Sequence, residues 1–285
     1  MNATTMNLTA THSKWFSTNP DKAFAEKLFL SYLVFFLAWE TLLQKMGWVD
    51  VDDFWGTVTT LITWLPYLVI LPAFLRRNSG IPWYQSYWFK LNVYMVVYVF
   101  FASYFHTEWF FKYLGMRYDF AHQFLDFDSM ACGPDQATAR DNFQAVPLSR
   151  YLDTMGFFTV YHTYSVVAMR RVKNMTLGLP PLGQRAAWVG IVVVAAFFFA
   201  WAETFGYIQA PVNHISWYLN RSAMLTVGTT LYGLFFLVSF PNVFRLDETA
   251  ENRWTITRCI VEASFVSMVT LFLIDMWVRF HGPIV

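Results

Sequence analysis

Charge is scarce in this chain. Asp, Glu, Lys and Arg make up 14% of its 285 residues, against about 25% in an ordinary soluble domain. The net charge of +1 leaves no basic footprint for nucleic acid, so no such partner is expected. Cysteine is nearly missing as well. Cys132 and Cys259 form neither a metal-binding nor a redox spacing, and they argue no disulfide. No Gly-rich phosphate loop, Ser/His/Asp order, His-x-x-x-His pair or His-rich cluster occurs. Nucleotide-driven transport and metal-dependent desaturation are thereby set aside, no metal site is expected, and proton chemistry or plain binding is left. No internal repeat is visible, which argues against an inverted-repeat transporter. The first twenty residues are polar and lack the apolar core of a cleaved signal peptide. The first membrane helix is therefore expected to act as the targeting signal.

What the chain does have is apolar surface. It is 56% apolar and 20% aromatic, with 30 Phe, 15 Tyr and 13 Trp, more than a water-soluble domain of this size can bury. Separate apolar runs of about 20 residues match the thickness of a bilayer core. Seven spans are predicted, near 23–44, 55–75, 87–112, 149–171, 187–209, 223–244 and 255–279. The expected fold is an all-α, polytopic transmembrane bundle forming one integral membrane domain over 1–285. Pro66 and Pro72 interrupt the second span, which neighbouring helices can tolerate. The connection from about 115 to 147 is the only substantial extramembrane piece. Its Asp126, Asp128 and His122 follow no ligand spacing and read as a solvated loop.

Basic residues divide unevenly between the two sides. Lys14, Lys22, Lys27, Arg76, Arg77, Lys90, Arg170, Arg171, Lys173, Arg185, Arg245, Arg253 and Arg258 fall on one side. Lys45, Lys112, Arg117, Arg140, Arg150, Arg221 and Arg279 fall on the other. The richer side is expected to be cytoplasmic, placing the N-terminus inside and the 115–147 loop outside. The membrane would be the endoplasmic reticulum in a eukaryote and the inner membrane in a bacterium.

Ionisable groups within these runs are expensive, about 2.5–3.5 kcal/mol each on insertion scales, and so call for a reason. Glu203 stands out, set in the apolar stretch Phe197 to Thr204. Glu40, His106, Glu203 and Asp275 each lie roughly 25–30 Å from the inner edge of their spans at 1.5 Å per residue. Glu108 follows His106, while His162 and Tyr232 sit near the midplane and Arg221 marks the outer edge. Each has a structural alternative. Glu40, Asp275 and Glu108 can reach interfacial water, and His106 and His162 can bridge helices by hydrogen bonding. Glu262 reads as a partner of Arg258 four residues back.

A carboxylic acid in an apolar, aromatic-walled cavity stays protonated at neutral pH. A nearby His relays protons, and aromatic faces stabilise carbocations. Together these groups could carry out an acid-initiated rearrangement of a hydrocarbon skeleton.

At these residues the chain resembles the cycloeucalenol cycloisomerase family of sterol enzymes, from about Pro20 to Val285. The matching stretches are Tyr87-Trp88-Phe89-Lys90 with Asn92, Phe110 to Gly115, Tyr161-His162, Glu203-Thr204 and Arg221 to Met224. They continue with Val238 to Pro241, Phe244-Arg245, Asp247-Glu248, Asp275 with Trp277, and Gly282 to Val285. The chain departs from the plant pattern at His106, Glu108 and Asn220, where the plant residues are Trp, His and Asp. It also carries about sixteen additional residues around 120–145.

The resemblance implies opening of the 9β,19-cyclopropane ring of a cyclopropyl sterol to a Δ8 sterol, without a cofactor. The sterol would enter from the bilayer. Glu203 is the expected acid, His162 with Tyr232 the base and Asp275 the buried anion facing the cation, although acid and base could exchange roles and one relay could serve both. Glu40, His106, Glu108, Tyr232, Trp201, Tyr94 and Arg221 are the expected substrate contacts. The rival readings are a sterol- or lipid-binding or transport protein without chemistry, and a sterol double-bond isomerase.

Overall fold

A computed structural model describes residues 15–48, 51–120, 126–209 and 215–285. Among them the chain forms seven long helices, so the all-α bundle is as expected. They are α1 (Pro20–Met46), α2 (Asp53–Leu75), α3 (Tyr87–Tyr113), α5 (Leu148–Met175), α6 (Pro181–Gln209), α7 (Arg221–Arg245) and α8 (Ile256–His281). A short α4 (Gln136–Asp141) lies in the long loop. Local signals set the ends of α1. Asn19 accepts the Asp21 N–H, Pro20 occupies the first turn, and Gly47 closes the helix at φ 69°.

Three of these helices contain a π-turn, at Pro66–Ile70, Ala102–His106 and Met224–Gly228. Pro66 has no N–H to donate to the preceding turn, and the wider turn absorbs the defect. In the other two, Thr107 and Thr229 hydroxyls bond the carbonyls five residues back, Ala102 and Met224.

Helices α2, α3, α6, α7 and α8 are long and apolar enough to cross a membrane. The protein is accordingly an integral membrane protein. Helices α1 and α5 are 27 and 28 residues long but more polar. Helix α5 packs against α1, α2, α3, α6 and α7. Its polar side chains are therefore screened by protein, which is why its apolar signal is weak.

The long loop holds a strand the sequence reading missed. Strand β1 (Met116–Tyr118) pairs antiparallel with β2 (Ser216–Tyr218), with Arg117 opposite Trp217. This ribbon caps the end of the bundle that carries the long loop. Gly115, at φ 70°, allows the close approach of the C-terminus. A Cβ there would come within 2.3 Å of Val285 Cγ1 and 3.2 Å of Leu219 Cβ. The terminal stretch is fixed by an Ile284 N–H to Tyr113 carbonyl bond of 2.9 Å.

The opposite end is closed by buried ion pairs. Arg170 meets Glu26 at 2.6 Å and Glu248 at 2.7 Å. Lys22 meets Glu248 at 3.0 Å and donates to the carbonyls of Phe244 and Leu246 at the end of α7. Lys90 pairs with Asp247 at 2.5 Å. A cation at a helix C-terminus also complements the helix dipole. These contacts tie α1, α3 and α5 to the end of α7. They also correct the charge count above: Lys22, Lys90 and Arg170 are buried partners of carboxylates, not loop charges. The partners lie up to 226 residues away in sequence (Lys22 to Glu248), beyond the reach of any local pattern.

Candidate active site

Two cavities meet at one cluster of polar side chains. The larger, about 540 Å³, is a groove between α1, α2, α5 and α6, within the ~300–1,000 Å³ usual for ligand sites. Its walls are largely apolar, with Leu33, Phe36, Phe157, Val160, Phe198 and Phe199 among them. Leu37 and Phe198 at its rim are more than half exposed, so the groove opens on the flank of the bundle between α1 and α6. The smaller cavity, about 90 Å³, lies beneath the β-ribbon between α3, α5, α6 and α7. Ser103, Thr107, Thr154 and Thr204 add hydroxyls to a lining that also includes Phe110, Met116, Phe158 and Phe235. Glu203, Asp153 and Arg150 line both cavities.

Helix periodicity explains why these groups converge. Arg150 and Asp153 are one turn apart on α5, and the guanidinium donates to the Asp153 carboxylate at 2.7 Å. Tyr161, two turns further along α5, lines the groove and packs against Phe199 with ring planes tilted by 31° and centroids 4.9 Å apart. The Tyr232 hydroxyl on α7 donates to Glu203 at 2.5 Å, and Tyr161 lines the same groove as the carboxyl group. A carboxyl group held by a phenol on an apolar wall is oriented, and its carboxylate form has a donor in place. At the ribbon, burial pushes the Tyr118 hydroxyl up to about 12, with Arg150 opposing and Glu203 and Asp153 adding to the shift. Tyr118 is thus a neutral hydroxyl at the edge of the smaller cavity.

Of the residues singled out from sequence, Glu203, Tyr232 and Glu40 do meet here, Glu40 on the α1 wall of the groove. The others do not. His162 is fully buried, and its two ring nitrogens bond the Phe158 carbonyl at 2.6 Å and the Ser239 hydroxyl at 2.8 Å. It bridges α5 and α7 and lines neither cavity. Asp275 is exposed on α8, where Ile274 and Trp277 take the inward face. That corrects its expected role as a buried anion. Trp201 is 42% exposed on the outer face of α6 and stacks on Phe205. Arg221 is exposed at the start of α7. Tyr94 is buried beside Tyr98, away from both cavities. His106 is buried against the Ser267 carbonyl at 3.2 Å.

Glu108 is also buried, but it faces the long loop. A Cβ on Gly133 would come within 2.5 Å of its carboxyl, so this glycine lets the loop lie directly on the acid. His122 lies outside the described residues. Asp126 pairs with Arg140, and Asp128 accepts the Val146 N–H at 2.9 Å. These two aspartates fasten the loop. Among the described residues no cluster of His, Cys, Asp or Glu is suited to a metal ion. Sequence reading missed Asp153 and counted Arg150 only as an outer basic residue. Their spacing of three was the available signal, since it places both on one face of a helix.

Comparison with known proteins agrees with the resemblance read from sequence. The chain is 31% identical over 291 residues to cycloeucalenol cycloisomerase of Arabidopsis thaliana, an alignment covering 98% of this chain and 94% of that protein. The chain belongs to the cycloeucalenol cycloisomerase family. No family model matches it, and no solved structure does. Within the family's matching stretches, Glu203 and Tyr161 lie on the groove wall, and Lys90, Asp247 and Glu248 belong to the ion cluster. Glu108, in turn, lies against Gly133 of the long loop.

Proposed function

We propose that this cycloeucalenol cycloisomerase family member opens the 9β,19-cyclopropane ring of a cyclopropyl sterol such as cycloeucalenol. The product is a Δ8 sterol such as obtusifoliol. The observation that carries this reading is Glu203, held by the Tyr232 hydroxyl with Tyr161 beside it on the wall of an apolar groove open to the flank. Helices α1 and α5 complete the seven spans in this reading, and the sterol enters from the bilayer between α1 and α6.

Glu203 in its acid form gives its proton to C19. The C9–C19 bonding pair becomes the new C–H bond, and C9 is left cationic. Tyr232 stabilises the resulting Glu203 carboxylate, as a positioned donor does for developing charge. The aromatic faces of Phe157 and Phe199 exclude water that would quench the cation. The C8 proton then leaves, and its bonding pair forms the C8–C9 double bond. Asp153, paired with Arg150 beside Glu203, is the acceptor, and it takes the roles expected of His162 and Asp275. No redox change occurs, so the chemistry calls for no cofactor.

Purified protein incubated in detergent with a 9,19-cyclopropyl sterol and no additions should yield the Δ8 isomer by mass spectrometry. In D2O, deuterium should enter the C19 methyl. Glu203→Gln keeps the size and can still accept a hydrogen bond, but it cannot deliver a proton to carbon. Turnover should fall at least roughly a hundredfold, within the 10²–10⁴ usual for a positioned general acid, with sterol binding retained. Near-normal turnover in this variant would remove Glu203 from the mechanism. A protein that binds the sterol without converting it would instead be a lipid-binding protein using the same groove. Conversion that only moves a ring double bond would indicate a double-bond isomerase.

A further inference from the structure

The smaller cavity has no part in holding a sterol. It is too small for one, and its wall is about half polar where that of the groove is largely apolar. Yet Glu203, Asp153 and Arg150 face both spaces. The two carboxyl groups therefore form a partition between a largely apolar compartment and a smaller one in which hydroxyls and charged groups make up about half of the wall. About 90 Å³ gives room for several waters at ~30 Å³ each. The lining hydroxyls are suited to hold them. Thr154 and Thr204 donate their protons to the Arg150 and Ala200 carbonyls at 3.1 and 2.9 Å. Their oxygen lone pairs are left to accept from water.

The reaction proposed above has a bookkeeping requirement that this arrangement meets. Each turnover moves one proton off Glu203 and one proton onto Asp153. The enzyme is ready again only when that proton has crossed from one carboxyl to the other. The groove is occupied by sterol at that moment and cannot conduct it. We infer that the smaller chamber beneath the ribbon is a proton-return compartment, whose water carries the proton from Asp153 back to Glu203. This rests on the isomerase reading. Proton loss from Asp153 and proton gain by Glu203 balance, and no other reactant is consumed.

The test uses variants that fill one compartment and not the other. Thr154→Leu and Ser103→Val project apolar bulk into the chamber at positions that do not line the groove. Ala202→Leu fills the groove and leaves the chamber alone. The readout independent of turnover is hydrogen–deuterium exchange of the Glu203 carboxylic-acid band by infrared spectroscopy, assigned by its loss in Glu203→Gln. Exchange should slow at least tenfold in each chamber variant and stay within twofold in Ala202→Leu. Turnover of a cyclopropyl sterol should fall at least tenfold in the chamber variants, with a larger solvent isotope effect and unchanged sterol binding. If Thr154→Leu fails to fold, Ser103→Val carries the same comparison.

Exchange slowed by Ala202→Leu but not by chamber filling would overturn the inference, because water would then reach Glu203 from the groove. Lack of a protonated Glu203 band, or chamber variants turning over at the wild-type rate, would overturn it equally. The expected exchange pattern in a protein that converts no cyclopropyl sterol would defeat the isomerase reading, and the return step with it.

Discussion

Arg170→Met tests the clamp of ion pairs at the end of the bundle opposite the ribbon, and its magnitude follows from the charges present. Arg170 is 4% exposed and makes five hydrogen bonds: two to Glu26, two to Glu248 and one to the Trp15 carbonyl. Its guanidinium also lies 5.5 Å from the Phe244 ring centroid. With Lys22 included, the group of Lys22, Arg170, Glu26 and Glu248 is neutral. Methionine fills comparable space but leaves a net charge of −1 in a buried site. Breaking a buried pair from one side costs about 3–5 kcal/mol, because the remaining charge is uncompensated. The unpaired group would be Glu26, since Glu248 keeps Lys22 at 3.0 Å. Glu26→Gln in the Arg170→Met background restores neutrality and should recover about 2 kcal/mol, a coupling within the range for contacting residues. Equilibrium unfolding in mixed micelles with a graded fraction of denaturing detergent measures all three variants. A loss below about 0.5 kcal/mol for Arg170→Met, or a double variant worse than the single, would refute the reasoning.

Three further outcomes are expected. His106→Ala and Glu108→Ala, which touch neither cavity, should each keep turnover within roughly tenfold of wild type, about 1.4 kcal/mol in barrier. A larger and unequal loss would return a titratable role to that region. Burial pushes the Asp128 carboxyl up to about 6, with Asp126 adding to the shift and the Val146 N–H and Arg140 opposing it. A raised folded pKa means that the acid form stabilises the fold, fully below about pH 4, and that this contribution is lost as pH rises through about 6. Asp128→Asn should therefore flatten the stability profile between those values and stabilise the protein at pH 8. An unchanged profile would show that Asp128 is not its source. In a Cys132→Ser background, cysteine at the exposed position 251 should be labelled from the cytoplasmic side and at 135 from the opposite side. Reversed labelling would invert the orientation.

The class of this protein was legible in the chain because membrane insertion is a matter of local composition and length. Runs near 55–75, 87–112, 187–209, 223–244 and 255–279 became α2, α3, α6, α7 and α8. Pro20 and Gly47 bracket α1 through local backbone preference alone. Glu203 could be picked out for the same reason, as a charge in an apolar run.

Which groups stand beside Glu203 depended on how the helices rotate and pack. Asp275 and Trp201 have the right depth but face outward, a matter of one residue, or 100° around a helix. His162 has the right depth and faces inward, but toward Ser239 rather than the groove. Arg150 and Asp153 sit in a segment whose polarity suggests a surface, and it becomes interior only because five helices surround α5. Lys22, Lys90 and Arg170 carry the same lesson, for their partners arrive from the far end of the chain. Depth is a one-dimensional property that a sequence contains. Facing and partnership are fixed only when side chains from distant helices compete for the same interior space.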